Sequence, residues 1–157
     1  MEVHVKRFDQ LTIHELYDIL KLRNSIFVVE QNCPFGDVDG YDKEAYHVFI
    51  TDKYGIQAYL RVLDRNSMYD GVSFGRVLAV KRRCGLATRV LEAGIQVAKE
   101  KFDAETIVIH AESYARSLYE KAGIFNCFPE DLWRFVQGDC AAARKERCRR
   151  GTRCPRR

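Results

Sequence analysis

Apolar and polar residues alternate over residues 3–8, VHVKRF, which is the period of a strand with one face buried. The pattern then turns helical. Leu16, Ile19, Leu20 and Phe27 recur near a period of 3.6 behind Thr12 and Glu15, which stand at the spacing of a capping box. This predicts a helix from Thr12 to about Val29. The following EQNCPFGDVDGYDKEAY is crowded with Pro, Gly and Asp and reads as a long loop. Residues 47–51 and 56–63 form two strand patterns around Asp52, Lys53, Tyr54 and Gly55, the residues of a hairpin turn. A further strand is expected over 73–80. After it Ala87, Val90, Leu91, Gly94, Ile95 and Ala98 mark one face of an amphipathic helix ending near Lys101. TIVIHA, 106–111, predicts a buried strand. A short helix follows over 115–122, with Gly123 placed as its C-cap. No internal repeat is visible.

Strand, helix, hairpin, strand, helix, strand, helix is the order of a mixed α/β sheet with helices packed on it. At 157 residues, 46% of them hydrophobic, the chain suits one domain. It holds no run of about 20 apolar residues, and its first residues are polar, so a soluble, cytoplasmic protein without a membrane partner is expected. The six cysteines read as free thiols: Cys33 and Cys84 lie in the body, and Cys127, Cys140, Cys148 and Cys154 lie late in the chain. No C-x-x-C pair occurs and His4, His14, His47 and His110 are scattered, so no metal site is expected.

The chemistry concentrates where the strand over 73–80 runs through Lys81-Arg82-Arg83-Cys84-Gly85 into Leu86-Ala87-Thr88. Unpaired N–H groups at a helix start, beside basic residues and a glycine, favour a bound phosphate. The spacing is neither a dinucleotide fingerprint nor a Walker loop. A basic strand-to-helix turn without a ligand is the plain alternative. A nucleophilic role for Cys84 is not supported, although it stands at a basic helix start.

Arg82-Arg83-Cys84-Gly85-Leu86-Ala87 resembles the Q/R-x-x-G-x-G/A pyrophosphate loop of the GNAT superfamily of acetyl-CoA-dependent N-acetyltransferases. Leu118-Tyr119-Glu120-Lys121-Ala122-Gly123 is similar to its later L-Y-x-x-x-G segment. Leu20-Lys21-Leu22-Arg23, Phe27-Val28-Val29-Glu30-Gln31, Cys33-Pro34, Asp37, Asp39-Gly40 and His47 resemble its ElaA-like branch. The likeness spans about residues 16–123. It implies an α/β (α+β) fold, a mixed, mostly antiparallel sheet with helices on both faces and a V-shaped opening between the strands over 73–80 and 106–111. It further implies acetyl-CoA as co-substrate, with backbone groups of Leu78, Ala79 and Val80 along its pantetheine arm. Arg82 opens the loop, and N–H groups of Arg83, Cys84, Gly85, Leu86, Ala87 and Thr88 would hold the pyrophosphate. Tyr119 takes the place of the acid that protonates the departing thiolate, its other reading being a packed helical tyrosine. For the base, Glu30 is preferred, with His110, Glu112 or a water as competitors. Glu30, Asp37, Asp39 and Asp42 would suit a cationic amine, on a small molecule or a peptide; a solvated loop with Asx turns is the other reading. The rival assignments are an acyl-homoserine-lactone synthase and a non-catalytic protein binding CoA or nucleic acid. A homo-oligomer is among the expected partners, since an uncovered strand edge invites association.

The likeness predicts two closing strands after Gly123, and the chain does not supply them. Residues 124–157 carry nine Lys/Arg against four Asp/Glu, leaving 17 against 18 for residues 1–123, so the formal +4 belongs to the tail. Apart from residues 132–136 the alternation is gone. The reading is a catalytic domain over 1–125 and a basic, Cys/Arg-rich segment over 126–157 whose closing strands are missing or replaced. That leaves the strand over 106–111 with an unpaired edge. A reading-frame change near Phe125 accounts for the switch, and a basic tail that binds nucleic acid is the competitor. The encoding DNA, read one or two bases out of register after the codon for Gly123 or Ile124, is expected to give alternating apolar strands around a turn. If neither frame does, and salt-sensitive nucleic-acid binding vanishes on deleting residues 144–157, the tail is a functional appendage.

Overall fold

The computed structural model describes residues 1–32, 36–110, 115–122, 124 and 132–136. Its strands are β1 (Glu2–Arg7), β2 (Tyr46–Asp52), β3 (Gly55–Leu63), β4 (Val72–Ala79), β5 (Thr106–His110) and β6 (Leu132–Val136). Its helices are α1 (Ile13–Arg23), α2 (Leu86–Phe102) and α3 (Arg116–Lys121). The strands form one sheet in chain order, antiparallel throughout except for the parallel pair β4 and β5. The expected mixed, mostly antiparallel sheet is therefore present.

Alternation sorts the strand residues onto two faces, and each face has its own helix. Val48, Ile50, Leu60, Val62, Phe74, Ile107 and Ile109 pack with Val90, Leu91, Val97 and Ala98 of α2. On the opposite face Phe49, Tyr59 and Leu78 pack with Ile19 of α1 and with Leu22, Ile26 and Phe27. The capping box at the start of α1 forms as its spacing predicts: the Glu15 N–H donates to Thr12 Oγ1 at 3.1 Å and the Thr12 N–H donates to Glu15 Oε2 at 2.9 Å.

Two expectations are corrected. The first helix does not run as one α-helix to Val29. From Asn24 to Glu30 it is wound as a π-helix, and the Gln31 N–H reaches the Ile26 carbonyl at 3.0 Å. The Ser25 hydroxyl donates to the Lys21 carbonyl at 2.9 Å, and this back-bonding competes with the regular ladder where the change occurs. Nor does β5 carry an unpaired edge. Leu132–Val136 runs antiparallel along it from Thr106↔Val136 to His110↔Leu132, so one closing strand is in place. The sequence LWRFV is rich in β-formers, and an open sheet edge offers a template for such a segment. The C-cap expectation at Gly123 and the tail over 126–131 and 137–157 lie outside the described residues.

At Gly94 α2 lies close against the side chains of the sheet. A Cβ at this position would overlap Leu60 Cδ2 and stand 3.2 Å from Phe74 Cζ. Leu60 and Phe74 are buried on the same face, so neither moves without displacing its neighbours. Gly94→Ala gains up to about 1 kcal/mol of helix propensity, and overpacking costs about 1–3 kcal/mol. A net loss of stability by chemical denaturation is the expected result; an unchanged or raised midpoint would show that the contact yields.

Candidate active site

β4 is the strand on which the site is built. It pairs with β5 only at Val72, Ser73 and Phe74, opposite Ile107, Val108 and Ile109. Past Phe74 it stays with β3, Leu78 against Tyr59 and Ala79 against Ala58. Among the described residues nothing pairs with the other edge of Leu78 and Ala79, so β4 and β5 part and leave a strand edge with free N–H and C=O groups. This is the opening expected between the two strands. The Val80 N–H still donates to the Gln57 carbonyl at 2.8 Å, which holds the end of this edge on β3.

From there the chain turns through Lys81, Arg82, Arg83 and Cys84, all exposed, to Gly85, the N-cap of α2. Arg83 has φ +58° and Gly85 φ +80°, so two left-handed residues fold the turn back over the helix start. A Cβ at Gly85 would meet nothing within 4 Å. The glycine therefore serves the backbone, and the space above it is open. Among the described residues no side chain caps the helix, and its first turn has no acidic residue. The first N–H groups of α2, at the positive end of its dipole, thus face a vacant approach lined with cations, the arrangement that receives a phosphate. Leu86 is buried and anchors this end, while the exposed Cys84 thiol donates to the Lys81 carbonyl at 3.0 Å.

The remaining sequence-nominated residues fall as follows. Arg82 is ion-paired with Glu30, which stands at the end of the π-helical segment, half exposed. Tyr119 lies on α3, buried in the α2 and β5 core. His110 ends β5. Cys33, Pro34 and Glu112 lie outside the described residues.

The loop carboxylates correct an expectation. Asp37, Asp39 and Asp42 are not free to draw in a cationic amine, because three arginines occupy them. Arg23 of α1 donates to Asp37 Oδ2 from Nε at 2.8 Å and to Asp42 Oδ1 from Nη1 at 2.6 Å. Arg61 of β3 holds both Asp39 oxygens at 2.7 Å and Asp42 Oδ1 at 2.9 Å. Arg76 of β4 pairs with Asp37 Oδ1 at 2.6 Å and Asp39 Oδ2 at 3.2 Å. Arg23 and Arg61 are fully buried, so this is an internally neutral lattice and not a solvated acidic patch. Burial alone would raise the Asp39 and Asp42 carboxyls, but hydrogen bonds from Arg61 and Arg23 bring both below the usual range. Removing one partner of such a buried pair costs about 3–5 kcal/mol. The lattice therefore fastens the loop to the sheet. Arg61 and Arg76 went unread in the sequence, although Arg61 is a charge inside an apolar strand, and Arg23, one turn after the core residue Ile19, entered only as part of the Leu20–Arg23 resemblance.

His47 extends the lattice. It is fully buried, its Nε2 2.9 Å from the Asp42 carbonyl and its Nδ1 2.9 Å from the Tyr59 hydroxyl. A carbonyl only accepts, so Nε2 carries the proton and Nδ1 accepts from Tyr59. Burial pushes the imidazole below its ordinary pKa, and Arg23 and Arg61 add to this against the opposing pull of Asp42. The same burial pushes the Tyr59 hydroxyl up.

Among the described residues no helix is long and apolar enough to cross a membrane, and no group of three or more His, Cys, Asp or Glu is gathered to hold a metal. No family model matches the chain. It is 31% identical over 131 residues to a UPF0039 protein of Schizosaccharomyces pombe, covering 81% of this chain and 86% of that one. It is 26% identical over 118 residues to the protein ElaA of Escherichia coli, covering 73% and 77%. Among solved structures, an acyl-CoA N-acyltransferase from Pseudomonas aeruginosa superposes with a TM-score of 0.76 at 29% identity, covering 87% of this chain and all of that one. Two more distant structures share the fold alone. They are the acyl-homoserine-lactone synthase LasI (TM-score 0.61, 19% identity, 79% and 78% covered) and a GNAT family acetyltransferase from Brucella melitensis in complex with acetyl-CoA (0.58, 10%, 88% and 90%).

The lattice sets the acid response. His47, Asp39 and Asp42 all have folded pKa values below their unfolded ones, so each contributes stability that is complete above its unfolded pKa and is lost as pH falls through the folded value. Unfolding free energy should therefore decline in two windows on acidification, first below about pH 6.5 from His47 and again below about pH 4 from the carboxylates. In His47→Gln the first decline should vanish while the second remains. Denaturant melts at a series of pH values check this, and an unaltered slope between pH 7 and 5 in the variant would contradict it.

Proposed function

The chain belongs to the UPF0039 family, the ElaA-like branch of the GNAT superfamily, and from that premise we propose that it transfers an acetyl group from acetyl-CoA to an amine acceptor. An acyl-CoA donor and acyltransferase chemistry come with the family and fold. The acetyl group and the amine are the finer assignment. The observation that carries CoA binding is the open edge of Leu78 and Ala79 leading directly to the uncapped, glycine-started α2.

In this reading the N–H and C=O groups of Leu78, Ala79 and Val80 bond the pantetheine amides as a neighbouring strand would. N–H groups from Arg83 through Thr88 receive the pyrophosphate, and the exposed Lys81, Arg82 and Arg83 supply counter-charge. The acceptor binds on the loop side, as an amine on a small molecule or a peptide. Its nitrogen attacks the thioester carbonyl, a C–N bond forms, and the C–S bond breaks as the tetrahedral intermediate collapses. One proton leaves the nitrogen, and Glu30 is the assigned acceptor. One proton goes to the departing thiolate, and Tyr119 is the assigned donor. Because Glu30 pairs with Arg82, the base and the pyrophosphate loop are in contact before any substrate arrives. The neutral Arg–Asp lattice adds no net attraction for a cation, so acceptor selection rests on shape and hydrogen bonding. The reaction fits a cytoplasmic setting, where acetyl-CoA is supplied. An acyl-homoserine-lactone synthase rests on the shared fold alone.

One experiment separates the parts. Calorimetry with acetyl-CoA and a thiol-release assay over an amine panel are run on the wild type, Gly85→Glu and Tyr119→Phe. Gly85→Glu places bulk and like charge where the pyrophosphate sits and should weaken acetyl-CoA binding. Tyr119→Phe should leave that affinity near wild type and lower turnover on the order of 10²-fold. Equal affinity for wild type and a folded Gly85→Glu would sink the loop assignment; unchanged turnover in Tyr119→Phe, with chemistry rate-limiting, would return Tyr119 to a packing role.

A further inference from the structure

Between the pairs Arg61↔Gly75 and Tyr59↔Leu78, β3 contributes Leu60 while β4 contributes Arg76 and Val77. β4 therefore carries one residue too many and bulges. The bulge begins two residues past Phe74, the last residue of β4 that pairs with β5, so it lies where the two strands part. Arg76 sits there with φ +58°, a conformation that suits glycine and is strained for arginine.

What the side chain does explains why arginine holds this place. Its guanidinium pairs with Asp37 Oδ1 at 2.6 Å, donates to the Asp37 carbonyl at 2.9 Å, meets Asp39 Oδ2 at 3.2 Å and lies 6.0 Å from the centre of the Phe27 ring. Asp37 and Asp39 are themselves held by Arg23 and Arg61. The bulge is thus anchored from the loop, the π-helical segment, α1 and β3 together. We propose that Arg76 is a positioning residue for the acyl-CoA donor: the clamp formed by Asp37, Asp39 and Arg76 fixes the bulge and so presents the edge of Leu78 and Ala79 to the pantetheine arm. This rests on the acyl-CoA reading above and assigns Arg76 no contact with the substrate.

The test compares two ligands that differ only in the part the edge would bind. Acetyl-CoA carries the pantetheine arm; 3′-phosphoadenosine 5′-diphosphate keeps the nucleotide and pyrophosphate and lacks it. Calorimetry is run on wild type, Arg76→Ala, Arg76→Gly and Arg76→Lys. Arg76→Ala and Arg76→Gly should lose about tenfold or more in acetyl-CoA affinity while nucleotide affinity changes by less than about twofold. Arg76→Lys retains charge but not the planar fork, and should fall between these and wild type. If the first two variants do not fold, Arg76→Lys carries the test: a selective loss for acetyl-CoA supports the proposal, and no loss overturns it. Equal weakening for both ligands, or full acetyl-CoA affinity in Arg76→Gly, would also overturn it, the latter because backbone conformation alone would then suffice. A wild type that binds the nucleotide but gains nothing from the pantetheine arm overturns it as well. Wild-type protein that binds neither ligand would instead refute the acyl-CoA reading itself.

Discussion

Two parallel strands that begin side by side and then separate leave backbone groups with no partner, and buried N–H and C=O groups without partners are expensive. The parting of β4 from β5 is therefore the constraint around which this molecule is arranged. Among the described residues it places an unpaired strand edge beside the start of α2, a helix whose first N–H groups meet no side-chain cap. A ligand with amides along one part and a pyrophosphate at the other satisfies both sets at once. Neither feature alone would specify it: the helix start selects only an anion, and the edge selects only something that bonds like a strand.

Holding the strands apart requires support from outside the sheet. The long loop provides it by binding inward. Asp37, Asp39 and Asp42 neutralise Arg23, Arg61 and Arg76, while His47 and Tyr59 satisfy the Asp42 carbonyl and each other. Charges in this setting are tolerated because each has an opposite partner within hydrogen-bonding distance, and the loss of any one would strand another. A loop read as a polar surface feature is in fact a brace against α1, β3 and β4.

What could be read in the chain was local. Thr12 and Glu15 specify the helix start because both bonds span three residues, and Ala87, Val90, Leu91, Gly94 and Ala98 declare α2 through a period of 3.6. The loop motif around Gly85 is likewise contiguous. The features that escaped depend on residues far apart. Arg23 meets Asp37 across 14 positions and Arg76 meets Asp37 across 39, and no period or spacing announces such pairs. The bulge at Arg76 is a mismatch between two strands and has no signature within one. The pairing of Leu132–Val136 with β5 escaped because its surroundings are compositionally foreign to the body of the chain, so a short β-forming segment was outweighed.

The most direct measurement is a crystal structure of this chain with CoA. It should show the pantetheine amides bonded to the backbone of Leu78, Ala79 and Val80, and the pyrophosphate against the N–H groups at the start of α2 beside Gly85. CoA bound elsewhere, or lying in the opening with no bonds to the β4 edge, would contradict the account.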